Sequence, residues 1–147
     1  MLTRYASVLP KDMIQPSQPV REYCIQRGFA ARVCNEGLDY LLATWQRTVC
    51  EILEGYHGLF DEYLNDMDGR QIISELVPLA TEAERKSVLD ELSLLDHSFF
   101  KVTRSLEACI WGADQAARHG YEPNENWWYY RIPQNLDSAE DRDAWPQ

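Results

Sequence analysis

The longest regular hydrophobic pattern in the chain runs from Leu38 to Tyr56. Its large apolar residues recur at the i, i+3, i+4, i+7 spacing of one helix face, at Leu38, Leu41, Leu42, Trp45, Val49, Ile52, Leu53 and Tyr56. This spacing predicts about five turns of amphipathic helix. Because an isolated helix gains little stability in water, the apolar face predicts other elements packed against it.

Helical patterns also flank this central stretch on both sides. One predicted helix covers about residues 19–35, weakened at Gly28, and Gly37 separates it from the central helix. Another covers about residues 59–77, and Gly69 predicts a break near 66–69. These patterns place three helices in the first half of the chain.

The tetrapeptide Thr81-Glu82-Ala83-Glu84 has the form of a capping box. The Thr81 hydroxyl can accept from the Glu84 amide while the Glu84 carboxylate accepts from the Thr81 amide, which predicts a helix start. Apolar residues follow at helical spacing, and the helix either ends near His97 or continues to Trp111.

The character of the chain changes after Gly120. Residues 127–133, WWYYRIP, predict an extended segment because four consecutive aromatic residues share no single helix face. We expect residues 1–18 to form an arm and the acidic residues 134–147 to fray. The predicted fold is a single all-α domain over residues 1–147. It is an irregular bundle of four to five helices, with the extended aromatic C-terminal segment packed across it.

The core of this bundle is predicted from the helical stripes. Its expected members are Leu41, Leu42, Trp45, Val49, Ile52, Leu53, Ile73, Leu76, Leu89 and Leu92. An apolar share of 45% fits a folded chain with such a core.

Charge narrows the classes of partner. The chain carries 24 acidic and 14 basic residues, a formal net charge of −10. Such a surface repels nucleic acid and anionic lipid and attracts a basic protein, so we expect no nucleic-acid or membrane partner. The excess is densest in residues 48–69, which hold six acids and no lysine or arginine.

This acidic stretch is either a solvated helix face or a protein-binding surface. The missing basic residues and the interleaved aromatic residues favour a surface for a basic partner, because charge speeds association and aromatic side chains supply buried area. The candidate partner-binding residues are Glu51, Glu54, Tyr56, Asp61, Glu62, Tyr63, Asp66, Asp68, Trp128 and Tyr130. Residues 127–130 have a second interpretation, which we favour, as a strap that closes the bundle.

Metal and catalytic motifs are incomplete. Asp66, Asp68, Gly69 and Glu75 match positions three, five, six and twelve of a calcium loop, but position one is Leu64, which cannot ligate. Glu54 and His57 form a single ExxH, whereas di-iron bundles need two. The sequence has no GxSxG motif and no CxxC pair, so we expect neither a catalytic residue nor a cofactor.

The four cysteines are widely spaced, and the sequence shows neither a signal-peptide pattern nor a long apolar run. These features predict a cytoplasmic protein with free thiols.

Three segments together resemble a pattern in a group of small, acidic, largely uncharacterised bacterial proteins. They are Glu62–Arg70 (EYLNDMDGR), Leu95–Phe99 (LDHSF) with Thr103, and Trp127–Pro133 (WWYYRIP). The resemblance covers about residues 38–133. Proteins of this size and charge resemble immunity proteins, which neutralise toxins used in bacterial competition.

The sequence therefore leads to three functional hypotheses. The first is a non-enzymatic immunity-type protein that masks a basic partner, such as a toxin or nuclease effector. The second is a metal-dependent helical-bundle enzyme that uses Glu54, His57, Asp66 and Asp68. The third is a structural or regulatory homodimer subunit that buries the aromatic run.

Overall fold

The computed structural model describes residues 14–147, and the predicted arm lies largely outside this range. The described residues form five α-helices: α1 Gln18–Arg27, α2 Ala31–Glu54, α3 Phe60–Leu76, α4 Glu82–Val102 and α5 Ala113–His119. Two short strands, β1 Thr103–Ser105 and β2 Arg131–Pro133, complete the fold with 3₁₀ turns at Val77–Leu79, Trp127–Tyr130 and Arg142–Ala144. The predicted all-α bundle is confirmed. None of the helices in residues 14–147 has the length and apolar character that crossing a membrane requires.

Helix α2 lies at the centre and packs against α1, α3 and α4. Gly37 interrupts its helical backbone with φ 64° and ψ −139°, as the sequence predicted. A side chain there would be strained in this left-handed conformation, and its Cβ would also lie only 3.0 Å from Pro16 Cβ. The regular stripe after Gly37 is the part of α2 that faces the core.

Helix α1 is shorter than predicted. It ends at Gly28, whose left-handed conformation (φ 73°) lets its amide and the next one bond to the carbonyls of Ile25 and Cys24. The predicted continuation from residue 19 to residue 35 is therefore wrong, because Gly28 terminates the helix and does not merely weaken it.

Helix α3 is continuous through residues 66–69, so the predicted break is wrong. Gly69 lies inside the helix, where glycine costs about 1 kcal/mol relative to alanine. Burial of Met67, Ile73 and Leu76 on the same helix offsets that cost. The segment Asn65–Gly69 is therefore helical, and it does not have the loop conformation of a calcium site.

The capping box of α4 is confirmed. The Glu84 amide donates to Thr81 Oγ1 at 3.2 Å, and the Thr81 amide donates to Glu84 Oε1 at 2.9 Å. The helix ends at Val102, between the two predicted ends, because the chain then enters β1 and pairs antiparallel with β2 from Thr103 opposite Pro133. This pairing fixes the aromatic segment against the end of α4.

Eight of the ten predicted core residues are buried: Leu41, Leu42, Trp45, Val49, Ile52, Ile73, Leu76 and Leu92. The prediction is wrong for Leu53 and Leu89, which are 52% and 41% exposed. Each lies beside a buried neighbour, Ile52 or Val88, at the edge of its helical stripe. Packing covers the centre of each stripe and leaves these edges in solvent.

Contrary to the prediction, the C-terminal residues 134–147 do not fray but pack against the bundle. Trp145 is only 2% exposed and packs against the rings of Tyr56, Phe60 and Tyr63 at centroid distances of 5.8, 5.0 and 5.1 Å. Asp141 accepts from the amide of Phe60 at 2.9 Å and from the Trp145 indole at 2.9 Å. It therefore satisfies a free amide at the start of α3.

Candidate protein-binding surface

Three predicted acids surround the Tyr56 side chain where α2 ends and α3 begins. Tyr56 donates to Asp66 Oδ2 at 2.7 Å. Burial raises the pKa of the Tyr56 hydroxyl, and the charges of Asp66, Glu51 and Glu62 add to this effect. A Cβ on Gly58 would lie 2.7 Å from Glu62 Oε2 and 2.9 Å from Tyr56 Cε2, which places that carboxylate beside the ring. We call Glu51, Glu62 and Asp66 the acidic corner.

The carboxylates of the acidic corner repel one another and have little basic charge near them. The pKa of Asp66 is raised from 3.8 to about 6, mainly by burial and also by the charges of Glu51 and Glu62. The Tyr56 hydrogen bond and Arg47 act in the opposite direction. Arg47 approaches Glu51 only to 3.7 Å in an exposed pair, which contributes little. The corner therefore concentrates negative charge with little compensation.

The other predicted acids lie outside this corner. Glu54 and Asp61 are exposed, like Glu51 and Glu62. Asp68 is half-buried on α3 and accepts from Tyr129 at 2.7 Å and from the Trp111 indole at 3.1 Å. Asp68 therefore belongs to a separate aromatic environment, and the structure does not bring all six acids into one face.

The four predicted aromatic anchors are buried in the core, so their assignment as partner contacts is wrong. Tyr56, Tyr63, Trp128 and Tyr130 have exposures of 1%, 0%, 2% and 8%. Tyr63 donates to the Arg131 carbonyl and Tyr130 to the Tyr121 carbonyl, each at 2.7 Å. These hydroxyls are satisfied inside the protein.

The aromatic run is therefore a packed closure of the bundle, as the favoured interpretation predicted. It begins as the 3₁₀ turn Trp127–Tyr130 and becomes extended only in β2. Because the run is largely buried, it does not provide the homodimer interface of the third hypothesis.

An ion pair that was not predicted from the sequence joins α3 to α4. Arg70 donates to both carboxylate oxygens of Asp96, at 3.0 and 2.8 Å, and the Trp45 indole donates to the same carboxylate at 3.0 Å. The guanidinium carbon lies 4.6 Å from the Trp128 ring centroid and 5.2 Å from that of Trp127. The only sequence signal is position, since Arg70 lies three residues from both Met67 and Ile73 on the inner face of α3.

This arrangement joins three elements of the fold. Arg70 comes from α3, Asp96 from α4, and Trp127 and Trp128 from the aromatic turn. A paired and hydrogen-bonded charge of this kind holds the three elements in one relative position. Arg70 is buried and the Asp96 side chain is only 18% exposed, so the role of the pair is structural.

The proposed metal set does not assemble. Glu54 and His57 are exposed near the end of α2, whereas Asp66 and Asp68 are hydrogen-bonded to aromatic side chains. Residues 14–147 contain no group of three or more His, Cys, Asp or Glu side chains placed to hold a metal ion. The second hypothesis therefore lacks its predicted site.

Comparison with known protein families, curated proteins and solved structures finds no match to this chain.

Proposed function

We propose that this protein is a cytoplasmic, immunity-type binding protein that neutralises a basic partner, such as a bacterial toxin or nuclease effector. The acidic corner, extended by the exposed Glu54 and Asp61, is the contact surface. The observation that carries this proposal is the exposed negative charge at the α2–α3 junction, with no lysine or arginine between residues 48 and 69.

The physical basis is long-range attraction combined with local relief of repulsion. Exposed carboxylates of one sign accelerate encounter with a basic surface, and this acceleration weakens with added salt. A partner lysine or arginine near Asp66 would also stabilise the carboxylate whose pKa is raised in the free protein. Both effects favour a basic partner over a neutral one.

The partner would be held mainly by charged and hydrogen-bonded contacts, because the aromatic side chains of this region are internal. Tyr56 still contributes indirectly, since its hydroxyl orients the Asp66 carboxylate. We therefore expect association to depend strongly on salt concentration and on the exposed carboxylates.

A two-part experiment tests the proposal. Tagged protein is incubated with lysate of its native host, and the proteins retained at low salt and released at high salt are identified. The captured protein is then expressed in a heterologous bacterium, alone and with this protein. We expect a basic protein that arrests growth when expressed alone and is neutralised by co-expression.

The matched variants are Glu51→Gln with Glu62→Gln, against Asp90→Asn with Glu107→Gln. Both pairs remove two exposed negative charges, but only the first lies in the acidic corner. We expect the first pair to slow association at least tenfold and to abolish protection, and the second to act like the wild type. Equal behaviour of the two pairs would refute the corner as the contact surface. A captured protein that leaves growth unaffected would refute the immunity role.

A further inference from the structure

A small cavity opens between α3 and α5 on the Asp68 side of the molecule. It has a volume of about 180 Å³ and is lined by Asp68, Trp111, Gln115, His119 and Tyr121. Pockets for drug-sized molecules usually measure ~300–1,000 Å³, so this one suits a single side-chain head group.

The Asp68 carboxylate is only partly used by the fold. Its Oδ1 accepts both the Tyr129 hydroxyl and the Trp111 indole. Among residues 14–147, no donor contacts Oδ2, although an ionised carboxylate can accept about four hydrogen bonds in all. The two fixed donors hold the carboxylate in place and leave one oxygen free for a ligand.

The remaining walls are suited to a flat cation. The rings of His119 and Tyr121 stack on each other, with centroids 5.2 Å apart and an interplanar angle of 22°, and Tyr121 also packs against Tyr129 at 4.5 Å. His119, Tyr121 and Trp111 together form the aromatic lining of the cavity. The half-buried Gln115 has no hydrogen-bond partner among the described residues and offers an amide oxygen. Aromatic faces attract guanidinium and ammonium groups, and guanidinium also stacks on them.

A second carboxylate lies near the cavity. Glu75, which also pairs with Arg27, lies close enough for its negative charge to act on both Asp68 and Tyr121. Asp68 also lines a groove between α2 and α3 that contains Asp66 of the acidic corner. The cavity and Asp66 therefore lie close together on α3.

We propose that the Asp68 cavity is an arginine-binding pocket, in which the guanidinium group of a partner side chain bonds to Asp68 Oδ2 and stacks on the aromatic walls. This assignment rests on the proposed function, since it supplies the specific anchor that the exposed carboxylates lack. Charge at the acidic corner accelerates encounter, and the pocket provides the directional contact.

The pocket is tested without any partner, using ethylguanidinium chloride as a probe and ethylurea as its uncharged counterpart. Binding is followed by the indole N–H resonance of Trp111 in ¹H–¹⁵N spectra, at mildly alkaline pH and constant ionic strength. We expect a saturable shift with ethylguanidinium and none with ethylurea.

Asp68→Asn is the informative variant, because its Oδ1 can still accept from Tyr129 and Trp111 while the free anionic oxygen is lost. We expect ethylguanidinium to bind about tenfold or more weakly. Tyr121→Leu removes one aromatic wall while its backbone carbonyl can still accept from Tyr130, and it should also weaken binding. Asp90→Asn, an exposed charge change on α4, should bind like the wild type.

A non-saturating shift, equal shifts with both probes, or unchanged binding in Asp68→Asn would each overturn the pocket. Those results would leave the acidic corner intact, because the capture and protection experiment uses different residues and a different readout. Conversely, ethylguanidinium binding that depends on Asp68, with no basic protein captured, would retain the cation pocket and reject its place in the proposed function.

Discussion

The raised pKa of Asp66 makes a sharp prediction about stability. Because that pKa is 3.8 for an ordinary aspartate and about 6 here, the folded protein retains a proton that the unfolded chain releases over this range. Stability from protonated Asp66 is therefore fully present below the unfolded pKa and is lost as pH rises through the folded pKa. At neutral pH the charged carboxylate destabilises the fold.

The magnitude follows from the two pKa values. At 1.36 kcal/mol for each pKa unit, the difference between 3.8 and about 6 corresponds to at most about 3 kcal/mol. Asp66 is half-buried, so solvent screening leaves about 1–3 kcal/mol. Asp66→Asn keeps an oxygen that can accept from Tyr56 and carries no charge at any pH. We expect this variant to be more stable than the wild type by that amount at neutral pH.

The assay is urea denaturation followed by tryptophan fluorescence at a series of pH values. The stability difference between Asp66→Asn and wild type should grow as pH rises from 3.8 to about 6 and then remain constant. Asp61→Asn, on an exposed position of the same helix, is the control and should show no comparable growth. A difference that does not change with pH would refute the assigned environment of Asp66.

Three further predictions concern the core. Arg70→Met leaves the Asp96 carboxylate without its cation and should lower the free energy of unfolding by about 3–5 kcal/mol in urea denaturation, whereas a loss below about 1 kcal/mol would contradict a structural ion pair. Trp145→Ala opens a cavity in an aromatic cluster and should cost about 3–5 kcal/mol in thermal unfolding; a wild-type melting temperature would show that the C-terminal segment does not support α3. Burial raises the pKa of Cys24 to about 11, so iodoacetamide at neutral pH should modify the partly exposed Cys50 first and Cys24 only after unfolding, as read by mass spectrometry; equal rates in the folded protein would exclude this packing.

Sequence patterns identified the helices well and their interruptions less well. Gly28 and Gly69 both fall within predicted helices, yet only Gly69 continues its helix. Periodicity reports which face is apolar, but it does not report whether a glycine adopts left-handed backbone angles. The backbone angles of a glycine depend on tertiary contacts, such as the packing of Pro16 against Gly37. In α3, tertiary packing instead keeps the helix continuous through a glycine that predicted a break.

Charge along the sequence indicates the acidic residues of the candidate site, but it does not indicate that the neighbouring aromatic residues are buried. Glu51, Glu62 and Asp66 come together because they lie close in sequence, in the last turn of α2 and the first two turns of α3. The side chains of Tyr63 and Trp128 are buried by partners far along the chain, among them the Arg131 carbonyl and the Arg70 guanidinium. Residue type alone does not distinguish a buried aromatic ring from an exposed binding residue.

The bond from the Phe60 amide to Asp141 also bears on how the molecule folds. Its two residues are 81 positions apart, and contacts of such separation require closure of a long loop, which slows folding. The helical turns of α2 and α3 can form earlier, from local contacts. The first turn of α3, and with it the acidic corner, should therefore reach its final arrangement in a late folding step.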